Sequence, residues 1–222
     1  TVFGAGRSGM ETAKYLRKNG VSTFLTDSAR IGKEEKKLLR KFEISFEENG
    51  HTEKALESDL IVLSPGIPPD ISLIKEARKK GIKTIGTLEL AYQVSPSRNI
   101  IAITGTNGKT TTVRLIAQIL GQFCEKVVSC GNIGNPFIAE VQQLSSDTPV
   151  VLEVSSYQLE TIEKFRPKVA LLLNIEPDHL KRHGSFKEYR TQKFRIFENQ
   201  NGNDWAILNS SLEEVPGWIK AE

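Results

Sequence analysis

The heptapeptide Gly105-Thr106-Asn107-Gly108-Lys109-Thr110-Thr111 sits between two segments of different periodicity. Ahead of it, Ile100-Ile101-Ala102-Ile103 is a short continuous apolar run, which predicts a buried strand. Behind it, Val113, Ile116, Ala117 and Leu120 fall at i, i+3, i+4 and i+7, one face of a helix over 110–120. Strand, glycine turn and helix start together form a phosphate cradle. Glycines let backbone N–H groups approach phosphate oxygens, and the helix N-terminus adds partial positive charge. Lys109 reaches the outer phosphates, and the Thr110 hydroxyl can ligate Mg²⁺. One position departs from the usual loop: the glycine expected five residues before Gly108 is Ile103. The competing reading is an ordinary strand-to-helix turn. Gly-Lys-Thr at the helix start favours nucleotide binding.

A second glycine turn opens the chain. Gly4, Gly6 and Gly9 fit G-x-G-x-x-G, and the helix that follows stops near Asn19-Gly20. Val21 to Thr26 reads as a strand, with Asp27 at its end, 18 residues after Gly9. That is the spacing of a dinucleotide fingerprint, although the ligand could be NAD, another nucleotide or none. Further strands are expected at 60–63 and 82–85, with a helix over 72–80 between them. This is βαβ grammar, which implies a parallel sheet. Ser95-Pro96-Ser97 is a plausible joint, and a second series follows with strands at 100–104, 150–154 and 169–174. The expected fold class is α/β: a Rossmann-like parallel-sheet domain over 1–95, then a phosphate-loop α/β ATP-binding domain over 96–222. Thr1-Val2-Phe3 enters its turn at once, and little follows the strand expected at 205–209, so the chain reads as part of a longer polypeptide.

Composition narrows the classes. Of 222 residues, 30 are basic and 27 acidic, a net charge of +3 that does not call for a nucleic-acid partner. No apolar run approaches the length of a membrane span, and no signal peptide is recognisable. Cys124 and Cys130 lack metal-site spacing and read as two reduced thiols of a cytoplasmic protein.

Several side chains stand out around the phosphate loop. Glu153 lies inside Val150-Val151-Leu152-Glu153-Val154, where a carboxylate is costly unless paired or metal-bound. A Mg²⁺ shared by Thr110 and Glu153 is natural there; a solvent-facing or Lys-paired Glu153 is the plainer reading. His179 lies in the segment that follows another apolar strand, at its carboxyl end, where a neutral imidazole can ligate a metal and Asp178 could orient it. His51 reads as exposed, and His183 as a helix-end or loop residue without assigned role. On a helix expected over 186–198, Tyr189, Lys193 and Phe197 share one face, so Lys193 either snorkels or is chemically special.

Taken together these motifs resemble the Mur ligases of peptidoglycan synthesis, most closely the D-glutamate-adding branch. The 105–111 loop, Gly131-Asn132-Ile133-Gly134, Glu153-Val154-Ser155-Ser156-Tyr157-Gln158-Leu159-Glu160, Asn174 to Gly184, the Gly4–Gly9 turn and Ser64-Pro65-Gly66 carry the likeness. The resemblance implies ATP-dependent addition of D-glutamate to UDP-N-acetylmuramoyl-L-alanine through an acyl phosphate, with Mg²⁺ as cofactor. It implies that Gly105, Thr106, Asn107, Gly108, Lys109, Thr110 and Thr111 bind ATP, with Lys109 on its phosphates. It puts Thr110 and Glu153 on one Mg²⁺, and His179 and Lys193 on a second, with Lys193 carbamylated by CO₂. Asn132 and Ser155 become substrate contacts, and Arg7, Ser8, Asp27, Ser28 and Gly66 the uridine-diphosphate site. Lys181, where many relatives have Asp, receives no role. The family's third domain has no counterpart in this sequence, so the 222 residues alone are expected not to turn over. A monomer in the cytoplasm is expected. Competing readings are another Mur branch, a non-catalytic UDP-sugar and ATP sensor, and, weakest, a nicotinamide dehydrogenase.

Overall fold

The computed structural model describes residues 1–212 and 214–222. They form two compact units: residues 1–91 with 161–163, and residues 92–160 with 164–222. The first division falls within helix α4 (Thr87–Val94).

The first unit runs β1 (Val2–Phe3), α1 (Arg7–Lys18), β2 (Phe24–Thr26), α2 (Lys33–Lys41), β3 (Ser45–Glu47), β4 (Leu60–Leu63), α3 (Ser72–Lys79) and β5 (Lys83–Gly86). All its strand pairs are parallel, in the order β3-β2-β1-β4-β5. The chain moves outward from β1 to β3 and then returns to the other side of β1. The order therefore reverses beside the Gly4–Gly9 turn, where open α/β sheets bind ligands. Gly9 lets α1 approach the end of β1: a Cβ there would lie 1.8 Å from the Gly4 carbonyl oxygen.

The second unit runs β6 (Ile100–Thr104), α5 (Lys109–Leu120), β7 (Val128–Gly131), α6 (Phe137–Glu140), β8 (Val150–Glu153), α7 (Ser156–Leu159), β9 (Val169–Leu172), α8 (Leu180–His183), α9 (Phe186–Phe194) and β10 (Trp205–Leu208). Its sheet is also parallel, ordered β10-β9-β6-β8-β7. Strand β6 is central, with β8 on one side and β9 on the other, so the loop after β6 opens at a second switch point. Every residue of β8 is buried, as expected of a strand covered on both faces. Val113 of α5 packs on Ile103 and Val151, with Ile116, Ala117 and Leu120 around them, which is the helix face expected from the sequence.

The α/β class and the two parallel sheets agree with the sequence expectation. Several strand ends shift by one or two residues, and two larger differences have clear reasons. The strand expected from Val21 starts only at Phe24, because the Val21 N–H closes α1 by donating to the Leu16 carbonyl. The helix expected to reach Glu198 is α-helical only to Phe194 and finishes as a tighter 3-10 turn over Arg195–Phe197.

Candidate active site

The loop after β6 leads into α5 with Gly108 in the left-handed region at the N-cap. In this structure the Lys109 ammonium folds back on its own loop, donating to the carbonyls of Gly105 (2.9 Å) and Thr106 (2.8 Å). Thr110, one residue on, donates its hydroxyl to Glu153 Oε2 at 2.7 Å.

Glu153 ends β8 and is 2 % exposed. Its other oxygen accepts from Asn132 Nδ2 at 3.0 Å. The solvent-facing and Lys-paired readings of Glu153 are thereby corrected: a hydroxyl and an amide satisfy this buried carboxylate. Asn132 reaches it because β7 ends at Gly131 with φ of 108°. A Cβ at Gly131 would sit 2.3 Å from the Glu153 carbonyl oxygen, so only glycine lets β7 and β8 come this close.

Beyond β9 the chain supplies His179, in the left-handed region at the N-cap of α8. Asp178 orients it twice, accepting its backbone N–H at 2.7 Å and lying 3.4 Å from Nε2. The imidazole is half exposed and packs beside Tyr157, with ring centroids 5.0 Å apart.

Lys193 does not snorkel. It is 2 % exposed, its Nζ donates to the Gly105 carbonyl at 2.8 Å, and it lies over the Tyr189 ring. Burial first, and then the Lys109 charge, lowers its pKa to about 7, against a weaker opposing pull from Asp178. A lysine in that range has a substantial neutral, nucleophilic fraction near pH 7.

Gly105, Lys109, Asn132, Ser155, His179 and Lys193, all expected from the sequence, line one cavity of about 60 Å³. Thr110 and Glu153 adjoin it through Asn132. Asp178, Ser156, Tyr157 and Tyr189 line it as well. The sequence singled out Asp178 and Tyr189 only in passing, and gave Ser156 and Tyr157 no role of their own. His183 is also more than a helix end: its Nε2 meets the Ser156 hydroxyl at 3.0 Å and its Nδ1 lies 3.4 Å from Glu160.

The first unit holds the other expected residues. Arg7 and Ser8 begin α1, Asp27 and Ser28 follow β2, and Gly66 follows β4. All lie past the carboxyl ends of strands. Asp27 already braces the glycine turn, accepting from the Ala5 N–H (2.6 Å) and the Ala29 N–H (2.8 Å). His51 is half-buried rather than exposed, with its Nδ1 2.6 Å from the Thr26 hydroxyl and its ring against Phe3.

Among the described residues no group of three or more His, Cys, Asp or Glu side chains forms a metal cage. The donors suit Mg²⁺ nonetheless. That ion keeps several waters and takes one or two protein oxygens plus substrate phosphates. The half-buried Thr110 hydroxyl and the buried Glu153 carboxylate offer such hard oxygens as a pair. His179 and an unmodified Lys193 supply no anionic oxygen themselves; Asp178 beside them is a carboxylate, and conversion of the lysine to an acid would add a second one.

Fold and site together define a phosphate-loop α/β unit preceded by a Rossmann-like unit. Comparison with known proteins carries this further. Residues 103–222 match the Mur ligase middle domain, and residues 1–73 the MurD N-terminal domain. The chain belongs to the Mur ligase family. It is 48% identical, over all of its own length and 50% of the relative's, to a UDP-N-acetylmuramoylalanine--D-glutamate ligase of Koribacter versatilis. It is 44% identical to the protein of the same name from Caldicellulosiruptor saccharolyticus, over 94% of this chain and 47% of that one. The chain thus spans about half the length of the relatives it matches. Among solved structures, the UDP-N-acetylmuramate:L-alanyl-gamma-D-glutamyl-meso-diaminopimelate ligase of Neisseria meningitides superposes with a TM-score of 0.66 at 18% identity. That match covers all of this chain and 76% of the other, and at such identity it speaks for the fold.

Proposed function

We propose that this chain supplies the UDP-substrate and ATP sites of a cytoplasmic ligase that joins D-glutamate to UDP-N-acetylmuramoyl-L-alanine. The observation that carries the reading is the convergence of Lys109, the Thr110–Glu153 pair, His179 and a low-pKa Lys193 around one cavity at a switch point. The likeness of residues 1–73 to the MurD N-terminal domain supports the D-glutamate branch.

Activating a carboxylate with ATP brings two anions together, so the site must screen charge. Lys109 would leave its own loop carbonyls to grip the outer phosphates. Thr110 and Glu153 would hold Mg²⁺, which neutralises charge developing on the transferred phosphoryl group. Lys193 would take up CO₂: its neutral amine attacks the carbon, a C–N bond forms, and a proton leaves. The product carbamate would give His179 an anionic oxygen partner for a second Mg²⁺. Asn132 and Ser155 would orient the substrate carboxylate. The acyl phosphate formed there is attacked by the amine of D-glutamate, and phosphate departs as the amide forms.

Calorimetric titration of the chain with ATP in the presence and absence of Mg²⁺ tests the nucleotide site. Mg²⁺-dependent binding is expected, with Lys109→Ala abolishing it. Unchanged binding by that variant would refute the phosphate-loop reading.

A further inference from the structure

The phosphate loop lacks the glycine usual at position 103, and Ile103 is fully buried in the core beside Val113. The first limb of this loop therefore takes its shape from elsewhere. Asn174, just past β9, supplies it. Its Oδ1 accepts the N–H groups of Thr106 (3.0 Å) and Asn107 (2.8 Å) together. Its Nδ2 donates back to the Asn107 carbonyl at 3.1 Å. Its own backbone carbonyl also accepts from the Thr106 N–H at 3.0 Å. Glu176, two residues on, completes the tie: its carboxylate accepts from Asn107 Nδ2 and its N–H donates to the Thr106 hydroxyl.

These bonds sort the loop's donors. The N–H groups of Thr106 and Asn107 are committed to Asn174. Those of Gly108, Lys109, Thr110 and Thr111 meet no acceptor among the described residues and crown the N-terminus of α5. We propose that Asn174 is a positioning residue for the nucleotide: it clamps the first half of the loop and thereby directs the phosphates onto the 108–111 N–H groups. The inference rests on the ATP-site reading above. Asn174 is partly exposed and contacts backbone rather than core, so its loss disturbs the loop more than the fold.

The test is ATP titration, with Mg²⁺, of the wild-type chain, Asn174→Ala and Asn174→Asp, alongside melting temperature and binding of the UDP-linked substrate. Asn174→Ala should weaken ATP by about tenfold, the worth of one or two net hydrogen bonds, and leave the other two readouts in place. Asn174→Asp keeps the double acceptor, so at high salt, where its charge is screened, it should recover most of the affinity. Wild-type-like ATP binding by Asn174→Ala would overturn the inference alone, as would equal weakness of both variants or a parallel fall in melting temperature. A wild-type chain that binds no ATP would overturn the site reading beneath it.

Discussion

Lys193 joins burial to chemistry most directly. Its periodicity with Tyr189 and Phe197 was legible in the sequence, and the structure buries all three. Whether the ammonium reached water was not legible, because that depends on Gly105, far away in sequence, offering a carbonyl. A pKa of about 7, against the ordinary 10.5, has two consequences. The amine accepts CO₂ only when neutral, so incorporation of ¹³C-labelled CO₂, read by NMR, should rise through a midpoint near pH 7 and vanish in Lys193→Met. A midpoint above pH 9 would contradict the buried-amine account. The second consequence is for stability. The unfolded chain binds the extra proton between about pH 7 and 10.5, so the penalty of burying Lys193 is full below 7 and is relieved as pH rises. Without CO₂, wild type should gain in melting temperature over that window relative to Lys193→Met; parallel curves would contradict this. Glu153 is the complementary case. Glu153→Gln keeps the size and one acceptor for Thr110 but removes the anion, so ATP affinity should lose most of its Mg²⁺ dependence, measured by titration with and without the metal.

Strands and helices were legible where burial imposes a pattern. The apolar runs of β4, β6, β8 and β9 announce doubly covered strands, and α5 shows its core face at helical spacing. Elements with little to bury escaped notice. Helix α2, Lys-Glu-Glu-Lys-Lys-Leu-Leu-Arg-Lys, buries only Leu39, and β7 is four residues, two of them Ser129 and Gly131. Yet β7 is what delivers Asn132 to Glu153. Its Gly131 is the tightest backbone approach in the second unit's site, so Gly131→Ala should cost about 3 kcal/mol, combining a left-handed φ with a clash against the Glu153 carbonyl. Urea denaturation would measure it, and a loss below about 0.5 kcal/mol, the range of innocuous surface changes, would contradict the close packing.

Across the whole chain, two parallel sheets each place a glycine turn at a point where strand order reverses. The residues expected for the UDP ligand lie in the first unit, and those expected for ATP in the second. Binding should therefore separate: Asp27→Ala should weaken the UDP-linked substrate while sparing ATP, and Lys109→Ala should do the reverse, each read by titration. A variant that weakened both ligands equally would contradict two independent sites. The expectation of this division rests on the order of the two glycine turns along the chain. Asp27 and the stretch from Asn174 stood out in the sequence, but the backbone groups they brace, the first glycine turn for Asp27 and the phosphate loop for Asn174, follow only from the folded loops.

The central claim concerns reaction and branch, and it is tested by phosphate release from the polypeptide that carries these residues, supplied with ATP, Mg²⁺ and UDP-N-acetylmuramoyl-L-alanine. D-glutamate, L-lysine, meso-diaminopimelate and no amino acid would be compared. Release that requires both the UDP-linked substrate and D-glutamate is the predicted result. Release driven instead by another amino acid, or none at all from a folded protein that still binds ATP, would contradict it.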